Sequence, residues 1–279
     1  MKSIFKLAFV LILVWNSLYS QSSNYKIIYD YQYIRDTITE PKIYSKKEAH
    51  ILVRNDYSSI FISYPNYLND SAYVKNSKYG YRVKVTQENG QEILDEFFQL
   101  RKNDLPSISR IKLTKNYKEK KINSWLNGYI SYNYKFTDDI ISDWEMTGKS
   151  DTLMGMLVYQ AKTNYGGRIY NAWYAPEIPI SDGPYVFSGL PGLIIKIADE
   201  KDWYVFQLQR VDLNPSSVEF YEQEEIGTPP ILTRTQFVDM LRKEKNNPRF
   251  NGIIDATQSD LLKVKNAMAR KFDYLMESY

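Results

Sequence analysis

The chain contains no cysteine and a single histidine, His50. The first absence excludes a disulfide framework, thiolate metal sites, cysteine nucleophiles and a cysteine-borne lipid anchor. The second leaves no two-histidine metal site and no nucleophile–histidine triad, and G-x-S-x-G is missing too: Ser188 stands in Phe-Ser-Gly-Leu. No D-x-D-x-D-G calcium loop occurs either, so neither metal nor cofactor is expected. Charge of one sign is also scarce, with 36 basic and 33 acidic residues. Nucleic-acid binding needs a concentrated basic stripe. The nearest run, Lys115 to Lys121, is short, broken by Glu119, and reads as a solvated loop or edge. The apolar stretch from Ala8 to Trp15 is too short to span a membrane.

That stretch belongs to a different pattern. Lys2 and Lys6 precede it and the small residue Ser20 follows, as in a cleaved secretory signal over residues 1–20. An exported protein is expected, at the periplasm or cell surface, with a single β-rich domain over 21–279. Loss of Lys2 and Lys6 would leave 34 basic residues against 33 acidic ones, close to neutrality. About 259 residues can bury a sizeable core without covalent staples.

What the chain has in abundance is tyrosine, 25 in all. Its apolar ring and polar tip suit half-wet sheet faces. In YKIIYDYQYIRD, Tyr25, Ile27, Tyr29, Tyr31 and Tyr33 share one parity while Lys26, Asp30 and Gln32 take the other, the period of a half-buried strand. Similar runs cover 50–54, 59–64, 125–136, 142–146 and 152–163, separated by turn-like clusters at 66–69, 89–90 and 148–151. Successive strands without helical spacers predict a mainly β fold: a curved or partly closed antiparallel sheet, bowl or half-barrel like. From about residue 231 the pattern turns helical. Thr233 with Gln236, then Thr257 with Asp260, have capping-box spacing, and Leu261, Val264, Met268, Phe272 and Leu275 form an apolar stripe. Two carboxyl-terminal helices packed on the sheet are expected.

LIIKIADEKDWYVFQLQRV predicts a hairpin, with Leu193, Ile195 and Ile197 alternating on one strand, Tyr204, Phe206 and Leu208 on the other, and Asp199 to Asp202 as the turn. Ahead of it lies a glycine- and proline-rich segment. Gly167-Arg168, Ala172-Trp173-Tyr174, Ile178-Pro179, Gly183-Pro184, Phe187 and Gly189-Leu190-Pro191-Gly192-Leu193-Ile194 together resemble the signature of the GLPGLI family, secreted proteins known mainly from Bacteroidetes. The chain departs from the family pattern in lacking a cysteine before Ala161. The resemblance implies export, a mostly β fold and no established biochemical activity. An architectural kinship with the bowl-like amino-terminal domain of some secreted peptide N-glycosidases is an expectation about fold alone.

Three functional readings follow. The favoured one is a non-catalytic envelope protein holding an extended or amphiphilic ligand, or a protein partner, with the signature as rim or clamp. Arg168, Trp173, Tyr174, Glu177 and Asp182 are its candidate ligand-binding residues: a guanidinium for a carboxylate or phosphate, an aromatic platform, and two loop acids. The competing expectation makes Arg168 an internal salt bridge to Glu177 or Asp182. A second reading is a structural or assembly protein with no small ligand, in which the signature only sets the angle of the hairpin. The third is a hydrolase using two of Glu177, Asp182 and Asp199, which needs facing carboxylates about 5 to 9.5 Å apart.

Overall fold

The computed structural model describes residues 24–36, 41–78, 102–107, 111–127, 133–213 and 231–233, with isolated positions between 92 and 109 and between 215 and 239. The expected signal segment, 1–20, lies outside the described residues. In chain order the elements are β1 (Tyr25–Asp36), β2 (Ile43–Tyr44), β3 (Glu48–Arg54), β4 (Ser58–Ser63), α1 (Tyr64–Asn76), β5 (Ile111–Asn116), β6 (Lys121–Asn127), β7 (Asn133–Asp139), β8 (Glu145–Leu153), β9 (Met156–Tyr165), β10 (Arg168–Ala175), β11 (Leu193–Asp199), β12 (Tyr204–Asp212) and β13 (Ile231–Thr233).

The strands form one large open sheet in the order β13-β7-β6-β5-β4-β3-β1-β12-β11-β10-β9-β8, with β2 paired to the end of β1. All neighbours are antiparallel except β13 and β7. β1 is the hub: Tyr31 stands opposite Glu48 of β3 on one side and Phe206 of β12 on the other. Two meanders spread from it, one to β7 and one to β8. The tyrosine alternation works as the period of two requires, since Tyr29, Tyr31 and Tyr33 are buried on one face. Leu52, Phe61, Leu113 and Phe206 continue that face into the main core.

The segment between β10 and β11, residues 176–192, lies on this core face. It contributes Ile180, Val186, Phe187 and Leu190, all buried, each worth about 1.5–3 kcal/mol in apolar transfer. The Phe187 ring sits 4.7 Å from that of Tyr170, 5.9 Å from Tyr165 and 6.3 Å from Trp144. On the opposite face, Ile51, Val53, Ile60 and Ile62 form a smaller cluster with Tyr64 and Tyr67 of α1.

The expectation of two carboxyl-terminal helices packed on the sheet is corrected. Among the described residues the helix whose bounds are defined is α1, which comes early, and the last element with defined bounds is the strand β13. α1 occupies ground read as a turn, because Asn66, Asn69 and Asp70 carry no apolar stripe. Ser63 caps it, accepting from the Asn66 N–H at 3.2 Å, and Pro65 sits in the first turn. At Thr233 the capping box does form: its Oγ1 accepts from the Gln236 N–H at 3.2 Å while the Gln236 side chain accepts from the Thr233 N–H at 2.9 Å. Thr235, Gln236 and Asp239 are helical; the stripe from Leu261 to Leu275 lies outside the described residues. Two expected strands are each divided. Residues 125–127 end β6 and 133–136 begin β7, with 128–132 outside the described residues, and 152–163 break at Met154-Gly155, where both residues have positive φ.

Candidate functional site

The glycine-rich signature is built into the core. Gly192 has φ +152°, and a Cβ there would collide with the carbonyl oxygen of Ala175 at the end of β10. A Cβ on Gly183 would come within 2.6 Å of the Ile194 side chain. These are close approaches of backbone to its neighbour, the use of glycine that no other residue can supply. Pro184 precedes the turn in which Tyr185 takes φ +55°. Three contacts tie the segment down: Trp144 Nε1 donates to the Ser188 carbonyl at 2.8 Å, the Tyr29 hydroxyl to the Ile194 carbonyl at 2.8 Å, and the Ile194 N–H to the Asp182 carbonyl at 3.0 Å.

Asp182 is the centre of a buried charge cluster. Its Oδ1 accepts from Lys115 Nζ at 2.6 Å and from the Gly183 N–H at 2.8 Å, and its Oδ2 from Arg54 at 3.1 Å. Lys115 Nζ also donates to the carbonyls of Gly183, at 2.7 Å, and Phe187, at 3.0 Å, so its three N–H bonds all meet the signature. Tyr117 closes the set, its ring 4.1 Å under the Arg54 guanidinium and its hydroxyl 2.8 Å from Ser59 Oγ. Burial alone would raise the Asp182 carboxyl; Lys115 and Arg54 outweigh it and hold the group below the usual value. Burial lowers Lys115, with Asp182 opposing. The sequence reading placed Lys115 on a solvated edge; it is fully buried. Its parity was the missed signal, since Leu113, two residues earlier, shares the core face.

Arg168 pairs with neither of its expected partners. Its guanidinium lies 3.4 Å from Asp199 Oδ2 and 4.9 Å over the Tyr204 ring. Asp199 Oδ1 meanwhile accepts from the N–H groups of Trp203, at 2.6 Å, and Tyr204, at 3.0 Å, which fixes the β11–β12 turn. Glu177 is exposed on the turn after β10. Tyr174 is buried, its hydroxyl 3.7 Å from Met146 Sδ and its ring 6.1 Å from Tyr159. Asp182 and Asp199 are thus each satisfied by cations and backbone donors. The three acids considered for hydrolysis do not come together as a free facing pair.

Trp173 is placed differently. It is half-buried on the sheet face opposite the signature, in a groove of about 530 Å³, within the ~300–1,000 Å³ range of small-ligand sites. Strand register builds the floor: Gln160 of β9, Trp173 of β10 and Lys196 of β11 stand side by side, with Lys162 and Asn171 paired in the next row. Lys149 of β8 also lines it. Met154, at the tip of the β8–β9 hairpin, lies 4.0 Å from Gln207 of β12, three strands away from β9 in sheet order, so the hairpin folds back across this face. Glu200 and Asp202 sit at the end where Arg168 holds Asp199. Among the described residues no cluster of three or more His, Asp or Glu side chains is arranged to hold a metal, and no helix is long and apolar enough to cross a membrane.

No match was found among curated proteins. The chain is similar to two solved structures of PNGF-II, in P21 and C2 crystal forms, at 15% identity and TM-scores of 0.49 and 0.46. The alignments cover 85% and 80% of this chain but 38% and 34% of PNGF-II, so the chain spans less than two-fifths of that protein's length. A family model described as a protein of unknown function (Porph_ging) matches residues 81–196, a span that includes the Gly189 to Ile194 motif.

Proposed function

We propose that the protein is a non-catalytic exported binding protein whose site is the groove around Trp173, and that the glycine-rich signature acts as architecture on the far side of the sheet. One observation carries this reading. Trp173 keeps part of its indole in the groove that Lys149 and Lys196 also line, and among the described residues neither lysine is taken up by an ion pair. Internal cations elsewhere in the fold are spent on named acids: Lys115 and Arg54 on Asp182, Arg168 on Asp199. Of the residues expected to touch ligand, Trp173 is therefore the primary contact, and Arg168 supports the groove end through Asp199. Tyr174 and Asp182 serve the fold, and Glu177 is exposed on the turn after β10. Export is supported by the basic, apolar and small-residue pattern of residues 1–20.

A thermal-shift screen of the purified protein against peptides, glycans, fatty acids, lipids and divalent ions tests the reading. A stabilising hit should grow with ligand concentration as binding linkage requires, and should vanish in Trp173→Ala. A hit that survives in Trp173→Ala places the site elsewhere. A blank screen on folded protein favours the assembly reading, for which β8, exposed along most of its length at the edge of the sheet, is the surface to examine.

A further inference from the structure

Granting that the groove is the binding site, we infer that it takes an acidic saccharide, with a pyranose ring on Trp173 and its carboxylate at Lys196 or Lys149. The floor spans β9 to β11, about 10 Å at the usual 4.7–4.9 Å strand spacing. Lys196 lies on one side of Trp173 and Lys149 and Lys162 on the other. An indole thus stands between two positive flanks, which fits a sugar ring carrying or flanked by negative groups. The C–H face of a pyranose is apolar and its hydrogens meet the electron-rich face of an indole favourably.

The rest of the floor is amide, not hydrocarbon. Gln160, whose Oε1 accepts from Thr147 Oγ1 at 3.0 Å, has its NH2 as donor, and Asn171 offers both donors and an acceptor. Sugar hydroxyls need both kinds of partner. A lipid chain would instead need an apolar slot, which Gln160, Asn171 and three lysines do not form. An extended peptide is recognised chiefly through backbone pairing at a sheet edge, and the backbone groups of β9, β10 and β11 are committed to neighbouring strands. Lys162 is partly claimed by Glu200 at 3.8 Å, so Lys196 and Lys149 are the stronger charges for a ligand. The acids Glu200 and Asp202 at one end repel a second negative group there, which gives the bound chain a direction.

Isothermal titration with oligogalacturonate tests this, with a cello-oligosaccharide of equal length and polyaspartate as comparators. Oligogalacturonate should bind, and its affinity should fall as salt is raised. Lys196→Ala and Trp173→Ala should each weaken it at least tenfold with the melting temperature retained; Lys149→Ala, on the exposed β8, is the variant least able to disturb the fold and should weaken it several-fold. Equal binding of the neutral oligosaccharide overturns the acidic class. Polyaspartate binding that ignores Trp173→Ala overturns the saccharide. Failure of oligogalacturonate while another ligand class binds in a Trp173-dependent way sinks this inference and leaves the groove standing; failure of every ligand at the groove removes both.

Discussion

Lys115 Nζ lies 2.6 Å from Asp182 Oδ1, and neither side chain is exposed to solvent. The pair joins β5 to the signature segment across the core face, so it decides whether residues 176–192 stay seated. Removing one partner of such a pair leaves a buried charge and typically costs about 3–5 kcal/mol. Lys115→Met should therefore destabilise strongly, and Asp182→Asn comparably, since it strands Lys115. The double variant should cost less than the sum by about 0.5–3 kcal/mol, as coupled neighbours do. Urea unfolding of the four proteins measures this; strict additivity would mean the two groups do not act as a unit.

The buried histidine makes a pH prediction. His50 packs between Phe61, at 5.2 Å, and the edge of Tyr31, at 5.2 Å. Burial lowers its pKa from 6.5 to about 4, only partly opposed by the hydrogen bond with the Glu48 carbonyl. Glu48 Oε1 is 3.9 Å from Nε2, yet desolvation wins and the ring stays neutral near pH 7. The unfolded chain then binds more protons between pH 4 and 6.5, so this contribution is complete above 6.5 and is lost as pH falls toward 4. The lost part is roughly 3 kcal/mol at 1.36 kcal/mol per pH unit. His50→Phe should flatten the stability profile in that window relative to wild type. An unchanged difference between the two proteins from pH 4 to 7 would show that His50 titrates alike in the folded and unfolded chains, against a burial-lowered pKa.

Two glycines at positive φ should differ in cost. Gly155 at the β8–β9 turn has φ +79° with open space around its Cβ position, so Gly155→Ala should cost about 1–2 kcal/mol, the left-handed penalty alone. Gly192→Ala adds a collision with the Ala175 carbonyl, backbone that cannot swing aside. Overpacking of this kind adds roughly 1–3 kcal/mol or more. Thermal melts of the two variants should therefore separate clearly, with Gly192→Ala the lower; coincident melts would mean that β10 yields at Ala175.

How much of this was legible before folding follows from which signals are local. The alternation in β1 and the β11–β12 hairpin, turn included, depends on neighbours one or two residues apart, and both were readable. α1 was not, because a capped, proline-started helix with Asn69 and Asp70 buried takes its stability from Leu105 and other distant partners; Asn69 exchanges two hydrogen bonds with the Leu105 backbone. Lys115 was misread for the same reason. Its counter-charge lies 67 residues away in sequence, and a lysine in a basic run looks solvated until the strand's parity is followed. Trp173 stands out in the sequence only as half of an aromatic pair; its setting beside Lys196 and Gln160 exists only through strand register.

Arg168 and Trp173 were paired as candidates, and their variants should now diverge. Arg168→Ala removes the cation from Asp199, a carboxylate 3% exposed, and unstacks a guanidinium from Tyr204. Oδ1 keeps its two backbone donors, so the cost should be about 1–3 kcal/mol and not a collapse. Arg168→Lys should recover little, since an ammonium lacks the planar face that lies over Tyr204 and Trp203. Amide exchange at Trp203 and Tyr204 should speed up with either change, because their N–H groups close the turn. Trp173→Ala should leave those amides protected, because Asp199 keeps both its backbone donors and its Arg168 partner when the indole is removed. If exchange at Trp203 accelerates equally in Trp173→Ala, the groove and the turn form one cooperative unit, and the indole holds the sheet together there instead of waiting for a ligand.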